Sequence, residues 1–468
     1  MSKSLVLVDT VSIQQYVFNS NKLQLNLGAS HIVAHEIFNE KRLKKGNIVF
    51  EGGGNALLEF EDGNSAMDFI REYSLDLLLN FPGLKVSFGN IEGDLDTTNG
   101  DAFKATMEAL HKNLRANKQN HYCITSLFKP GIVADCAFTE DGAAIIDSDW
   151  DGKLLSAKAL AKKDNFEIGE NKLKETFKDV LGKWEFPREF DKLGQSEGFN
   201  YIAVVHIDGN GVGRMFQEQK NKADLRNLSD RVKAIVSNVL KELLKEVVSH
   251  CEQEKEIHEN KERYLPFRPI IVGGDDITFV CKGKLGLYLA QRFLELYKDQ
   301  EINGQKLEAS AGICMVKTKF PFFKAYETAE DLLTEAKAKA NKDFIQNQNS
   351  SKYYPSYMAY EIIGSGNSTP DLTKIYSMDQ FKDIVMLAGH FSEKNNWTKS
   401  KIMAFREVLS DAIENDNAEL PEFLEFVEHS KMRKIEFPRE MKNVDDLKNI
   451  YRAIEINEFY ETLQSPKA

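Results

Sequence analysis

Residues 201–208, YIAVVHID, and 268–282, RPIIVGGDDITFVCK, decide how the chain reads. The first is an apolar run of strand length that stops at an acid, Asp208. The second holds two apolar runs around Gly273-Gly274-Asp275-Asp276, the composition of a hairpin with a tight turn. A long helical stretch lies between them, within Asp224–Cys251. The helical pattern LGLYLAQRFLELY (285–297) and the apolar strand EASAGICMV (308–316) follow. The order is β-α-β-β-α-β, a ferredoxin-like unit. FKAYETAEDLLTEAKAKAN (323–341) adds one more helix.

The N-terminal part repeats that order. SLVLVD (4–9) is a strand closed by an acid, and a helical stretch runs from Ser12 to Leu43. NIVFEGGGNALLEFE (47–61) reads as a hairpin, SAMDFIREYSLDLLLNF (65–81) as a helix and LKVSFGNI (84–91) as the last strand. The expected fold class is therefore α+β, with two ferredoxin-like (βαββαβ) domains, a small linker region and a C-terminal helical domain. Residues 1–115 form the first unit, degenerate because aligning Gly52-Gly53 with Gly273-Gly274 sets Gly54-Asn55 opposite Asp275-Asp276 and leaves only Asp9. Residues 116–198 are the linker, 199–366 the second unit with the Gly-Gly-Asp-Asp turn, and 367–468 the helical domain. The linker is rich in Lys, Asp, Glu and Asn, with a β-rich patch expected over 124–147.

The chain has 468 residues, 42% hydrophobic and 28% charged, as in an ordinary soluble globular protein. Its net charge of -11 disfavours a broad nucleic-acid surface but permits a local basic pocket. The five cysteines are scattered, with no CxxC pair, so reduced thiols in the cytoplasm are expected rather than structural zinc. No stretch approaches the ~20 apolar residues of a membrane span.

In a ferredoxin-like sheet the hairpin turn lies beside the end of the first strand. That puts Asp208 next to Asp275 and Asp276. Clustered carboxylates repel and call for a cation. An oxygen-only set suits two Mg²⁺ or Mn²⁺ ions, which activate an attacking hydroxyl and stabilise a leaving oxygen. Gly273 and Gly274 leave room for a triphosphate, and the turn Asp208–Gly213, with Gly209 and Gly211, offers N–H groups to phosphate. Lys337 or Lys339, on the helix after the last strand, is placed to neutralise triphosphate charge. Each feature has a plainer reading. A Gly-Gly-Asp-Asp turn suits any well-formed hairpin, and helix lysines are usually solvated. His31 and His35 have metal-ligand spacing but lack a third ligand, and read as structural. His206 shares a strand face with Asp208 and reads as a satisfied core histidine.

AVVHIDGNGVG (203–213), IIVGGDDITFV (270–280), SAGIC (310–314) and AEDLLTEAKAKA (329–340), with the opening VDTVSIQQYVFNSNKLQLNLGAS (8–30), resemble one family. It is the palm-domain polymerase-cyclase subunit of type III CRISPR complexes, the Cas ten family with its GGDD motif. The resemblance covers roughly residues 1–345. It implies conversion of ATP to cyclic oligoadenylate messengers, with Asp208, Asp275 and Asp276 at the metal positions and Lys337 near the phosphate-contacting lysine. Nucleoside triphosphates are the expected ligands. The expected partners are an activating ligand or RNA, CRISPR-type subunits or a second copy of this chain, and no membrane. No His-Asp dipeptide is present, so the family's frequent N-terminal nuclease domain is not expected, and the linker keeps only Cys123 and Cys136 of a zinc-binding set. Two other readings stay open: a nucleotide-sensing or scaffold subunit without turnover, and a cyclase that uses GTP to make a cyclic dinucleotide.

Overall fold

The computed structural model describes residues 3–120, 129, 131–193, 199–255, 263–347, 353–364, 374–392, 395–432, 435, 437, 441 and 443–463. Strand β1 (Ser4–Val11) leads into helices α1 (Ile13–Val17) and α2 (Leu23–His31). A π-helical turn (Ile32–Glu36) and α3 (Glu40–Leu43) then precede the hairpin β2 (Asn47–Gly52)–β3 (Asn55–Phe60). Helix α4 (Gly63–Asn80) starts where the Asp62 carboxylate accepts from the Ser65 N–H at 2.9 Å. Strand β4 (Lys85–Glu92) completes a sheet of order β2-β3-β1-β4.

Helix α5 (Gly100–Asn120), which the sequence reading did not assign, packs on β4. The expected β-rich patch is in part outside the described residues. Within them it holds a bridge between Asp135 and Gly142 and strand β5 (Ile145–Asp147), whose partner β6 (Lys153–Leu155) lies beyond the expected patch. The rest of the linker is dominated by α6 (Ala157–Leu181), capped by Ser156. This helix is a strut, since Phe166 packs with the first unit while Phe177 and Leu181 pack with the second.

The second unit runs β7 (Tyr201–Gly209), α7 (Val212–Gln217), α8 (Lys222–Lys255), β8 (Phe267–Gly273), β9 (Asp276–Lys282) and α9 (Gly286–Lys298). The small hairpin β10 (Glu301–Ile302)–β11 (Gln305–Lys306), then β12 (Ala309–Lys317) and α10 (Phe322–Gln346), follow. The sheet order β12-β7-β9-β8 repeats that of the first unit. Two strands not anticipated extend it: β13 (Tyr357–Ile362), parallel to β12, and β14 (Ile375–Ser377). Helices α11 (Met378–His390), α12 (Lys399–Glu414), α13 (Pro421–Met432) and α14 (Val444–Asn457) form the helical C-terminal region. Their apolar faces join the core beneath the second sheet, so this region shares that core rather than enclosing its own.

Strand β7 is buried on both faces, as a central strand should be. Ala203, Val205 and Ile207 enter the core shared with α8, α9 and the C-terminal helices. Ile202 and Val204 enter a second core, formed with α10 and the helices of the first unit. The pleat therefore sends His206 and Asp208 toward α10. Among the described residues no helix is long and apolar enough to cross a membrane.

Candidate active site between the two palms

Asp208 is paired across the sheet with Asp276, and Asp276 with Gly273 on the next strand. The first unit has the same register, with Asp9 opposite Asn55 and Asn55 opposite Gly52. The hairpins thus superpose residue for residue, but the acidic pair falls on Gly54-Asn55. Asp9 is also already neutralised by Lys118 at 2.5 Å. At the hairpin turn, then, the second unit has three carboxylates where the first has one.

Burial pushes the Asp275 carboxyl up to about 8, and the nearby charge of Asp208 and a hydrogen bond with it push the same way. Lys337 answers part of this charge by pairing with Asp208. Lys339 turns away and pairs with Asp343 on its own helix at 3.1 Å. His206 is buried, as expected of a core histidine, but its partner is a site residue: Nε2 lies 2.8 Å from Oδ1 of Asp276. Burial works against its cation, yet the charge and hydrogen bond of Asp276 leave its pKa raised.

The glycines divide by task. Gly274 has φ +60°, matched by Gly53 at +61°, and a Cβ on Gly274 would lie 3.5 Å from the Gly53 Cα. The two hairpin turns therefore approach to van der Waals distance, and the left-handed backbone of each is what favours glycine there. A Cβ on Gly209 would lie 3.1 Å from Cβ of Asp275 and 2.6 Å from Val212. Gly211, with φ +76°, abuts the Tyr354 ring, and Gly213 rather than Gly211 faces the groove between the units. Gly273 has open space around it.

That groove is a cavity of about 890 Å³, floored by Gly53, Gly274 and Asp275. Lys104, Lys112 and Arg115 of α5 and Lys233 of α8 line its sides. Lys233 also ties the units together, donating to the Glu51 carbonyl at 2.5 Å. The basic contribution of α5 was not foreseen, because its lysines repeat as on any solvated helix. A local basic pocket inside an acidic protein is nonetheless what the charge balance permitted.

Two other clusters are distinct from this site. Glu59, Asp94 and Asp96 lie close enough to share an ion. Lys3 and Lys222 already bridge all three acids, and their contacts hold the Asp96 carboxyl down at about 2. His31 is buried against α6, 5.2 Å from His35 ring to ring and 3.6 Å from Glu36. Burial lowers its pKa. Cys136 packs with Leu25, Leu155 and Ala159, and Cys123 lies outside the described residues.

Residues 201–346 match the family model described as Cas10/Cmr2, second palm domain. No curated protein matches the sequence. Among solved structures, the apo Csm1-Csm4 cassette is similar, with TM-score 0.58 and 13% identity over 97% of this chain and 70% of that one. The same cassette in complex with pppApA gives TM-score 0.57, 14% identity and coverages of 97% and 69%. In complex with cA4 it gives 0.55, 13%, 97% and 70%. At these identities the likeness is one of fold. The repeated register, the paired turns and the family match agree: residues 201–346 are a second palm domain of the Cas10/Cmr2 type, set in a chain whose fold is like that of the Csm1-Csm4 cassette.

Proposed function

We propose that this chain is a nucleotidyltransferase that joins ATP through 3′–5′ type linkages into a cyclic oligonucleotide messenger, in antiviral defence signalling in the cytoplasm. The observation that carries the reading is the meeting of Asp208, Asp275 and Asp276 at one strand end and hairpin turn, with Asp275 lining a groove between the two palms that has basic residues on its sides. The similar Csm1-Csm4 cassette has been solved with AMPPNP, one ATP, pppApA and cA4, which favours ATP as the nucleotide here.

The donor set fits divalent metal. Asp275, pushed toward its neutral form by burial and by its neighbour, hydrogen-bonds with Asp208, and Asp276 stands opposite Asp208 across the strands. Carboxylate oxygens are the ligands that Mg²⁺ or Mn²⁺ takes. The three are not drawn together as tightly as Glu59, Asp94 and Asp96 are. When bound, two such ions supply Lewis-acid stabilisation of the reacting phosphate and a more acidic 3′-hydroxyl. Asp208, Asp275 and Asp276 are the residues that would hold them. Lys337, now paired with Asp208, lies where it can pass to the triphosphate. The backbone at Gly274 and Gly213 lets phosphates approach closely. In the first palm, Asn55 and the neutralised Asp9 leave a turn without net charge, suited to an acceptor nucleotide. Its 3′-oxygen forms the new bond to the α-phosphorus, the α–β phosphoanhydride bond breaks, pyrophosphate leaves and the hydroxyl proton passes to solvent. Positioning and electrostatics carry most of the rate.

On this reading the partners are nucleoside triphosphates and an activating ligand or RNA, with CRISPR-type subunits or a second copy of the chain. Incubation with each NTP and Mg²⁺ or Mn²⁺, followed by mass spectrometry, tests the function. Cyclic adenylates are expected from ATP. Cyclic products from GTP alone would reassign the base, and no product under any activator would overturn turnover.

A further inference from the structure

His206 precedes Asp208 by two residues on β7 and is 4% exposed. Its ring is gripped on every side. Nε2 lies 2.8 Å from Oδ1 of Asp276, and Nδ1 lies 3.2 Å from the Tyr326 hydroxyl on α10. The Tyr326 ring stacks on the imidazole, centroids 5.3 Å apart. Phe18, from the first palm, stacks on Tyr326 at 3.9 Å with the rings 25° from parallel.

The chemistry of the partners orders the protons. An ionised carboxylate only accepts, so the hydrogen between His206 and Asp276 sits on Nε2. The Tyr326 hydroxyl, 3.2 Å from Nδ1, holds the opposite edge of the ring. With Oδ1 held by the imidazole, Oδ2 is the oxygen of Asp276 that no described protein group engages.

The first palm offers an internal comparison. There the position equivalent to His206 is Leu7, opposite Leu57, two residues before Asp9. The polar support thus occurs where the turn is acidic and is absent where the turn carries Asn55. A histidine needed only to fill the strand would be replaceable by leucine in both sheets.

We infer that His206 is a positioning residue for the metal site, its Nε2–H fixing the Asp276 carboxylate while Tyr326, seated by Phe18 of the first palm, fixes the imidazole. The inference rests on the reading of Asp208, Asp275 and Asp276 as cation ligands. Hydrogen-bonded supports of this kind typically change metal affinity 10–100-fold when lost. The arrangement also makes the seating of the first palm part of the metal site's geometry.

The test is Mn²⁺ affinity of the full chain by electron paramagnetic resonance, with melting temperature read in parallel. His206→Phe keeps a ring without a donor, and His206→Gln restores a donor at the Nε2 position. The Phe variant is expected to bind Mn²⁺ about 10–100-fold more weakly, with the Gln variant recovering most of the loss. Tyr326→Phe removes one hydroxyl from a ring that stays in place, and is expected to weaken binding by about threefold to tenfold, less than loss of the direct partner. It decides the matter if His206→Phe does not fold. A purely structural histidine would lower the melting temperature and leave the affinity of folded protein unchanged. Wild-type affinity in folded His206→Phe, or in Tyr326→Phe where the former does not fold, would overturn the positioning role alone. A wild-type chain that binds no Mn²⁺ would overturn the metal-site reading and this inference with it.

Discussion

Replacing Glu170 by Gln should destabilise the protein strongly, because α6 joins the palms through a buried charge pair. Glu170 and Arg268 are each 1% exposed, and the guanidinium lies 2.7 Å from the carboxylate. Arg268 sits on β8, the edge strand of the second sheet, with the Phe186 ring 5.3 Å away. Burial lowers its pKa, which Glu170 opposes. Glutamine keeps the shape but leaves a guanidinium in the core without a counter-charge, a loss of about 3–5 kcal/mol when one member of a buried pair is removed. Glu170→Met with Arg268→Met removes both charges and should return to within about 1 kcal/mol of wild type, since well-packed apolar pairs replace buried ion pairs with little loss. Urea unfolding of wild type, the Gln variant and the double Met variant measures this, with unchanged slopes confirming one transition. A loss below about 1 kcal/mol in the single variant would refute the reasoning, as exposed pairs are worth that little.

Three further outcomes are expected. Lys162 donates to the Tyr16 carbonyl at 2.5 Å and to Asn19 at 2.6 Å, and burial lowers its pKa from 10.5 to about 7. The unfolded chain then binds the extra proton between pH 7 and 10.5, so stability rises with pH across that window, by up to about 1.4 kcal/mol per pH unit relative to Lys162→Met. Melting curves with no pH-dependent difference between the two proteins would contradict this. Gly209→Ala should lower pyrophosphate release about 100-fold by pressing on Asp275, whereas Gly389→Ala, with open space around it, should leave turnover unchanged. In EDTA, Asp275→Asn should melt at or above wild type, because clustered like charge is relieved, and added Mn²⁺ should raise the melting temperature of wild type only. Equal Mn²⁺ shifts in both proteins would place the ion elsewhere.

What was legible in the sequence was whatever is carried by local pattern. The hairpins announced themselves through glycines flanked by apolar runs, and Asp208 through its place at a strand end. The corresponding register of Asp9 and Asn55 follows from the same glycines. Strand β13 was missed because its partner β12 pairs in parallel across the whole of α10, a long-range contact that no local periodicity encodes. Helix α6 lies in the charged linker, whose part beyond the β-rich patch reads from the sequence only as helical or irregular. Its apolar residues are spread toward two different cores, so no single amphipathic stripe stands out. His206 was read correctly as buried, but its hydrogen-bond partner comes from 70 residues away, and only the register of β7 with β9 brings it there.

The central claim is that metal-dependent chemistry belongs to the second palm alone. Anomalous diffraction from crystals soaked with Mn²⁺ and a slow ATP analogue tests it most directly. The account expects strong Mn²⁺ peaks within coordination distance of Asp208, Asp275 and Asp276, and none at Asp9 and Asn55. Peaks of equal strength at both turns would make both palms metal sites, and peaks absent from Asp208, Asp275 and Asp276 would contradict the account outright.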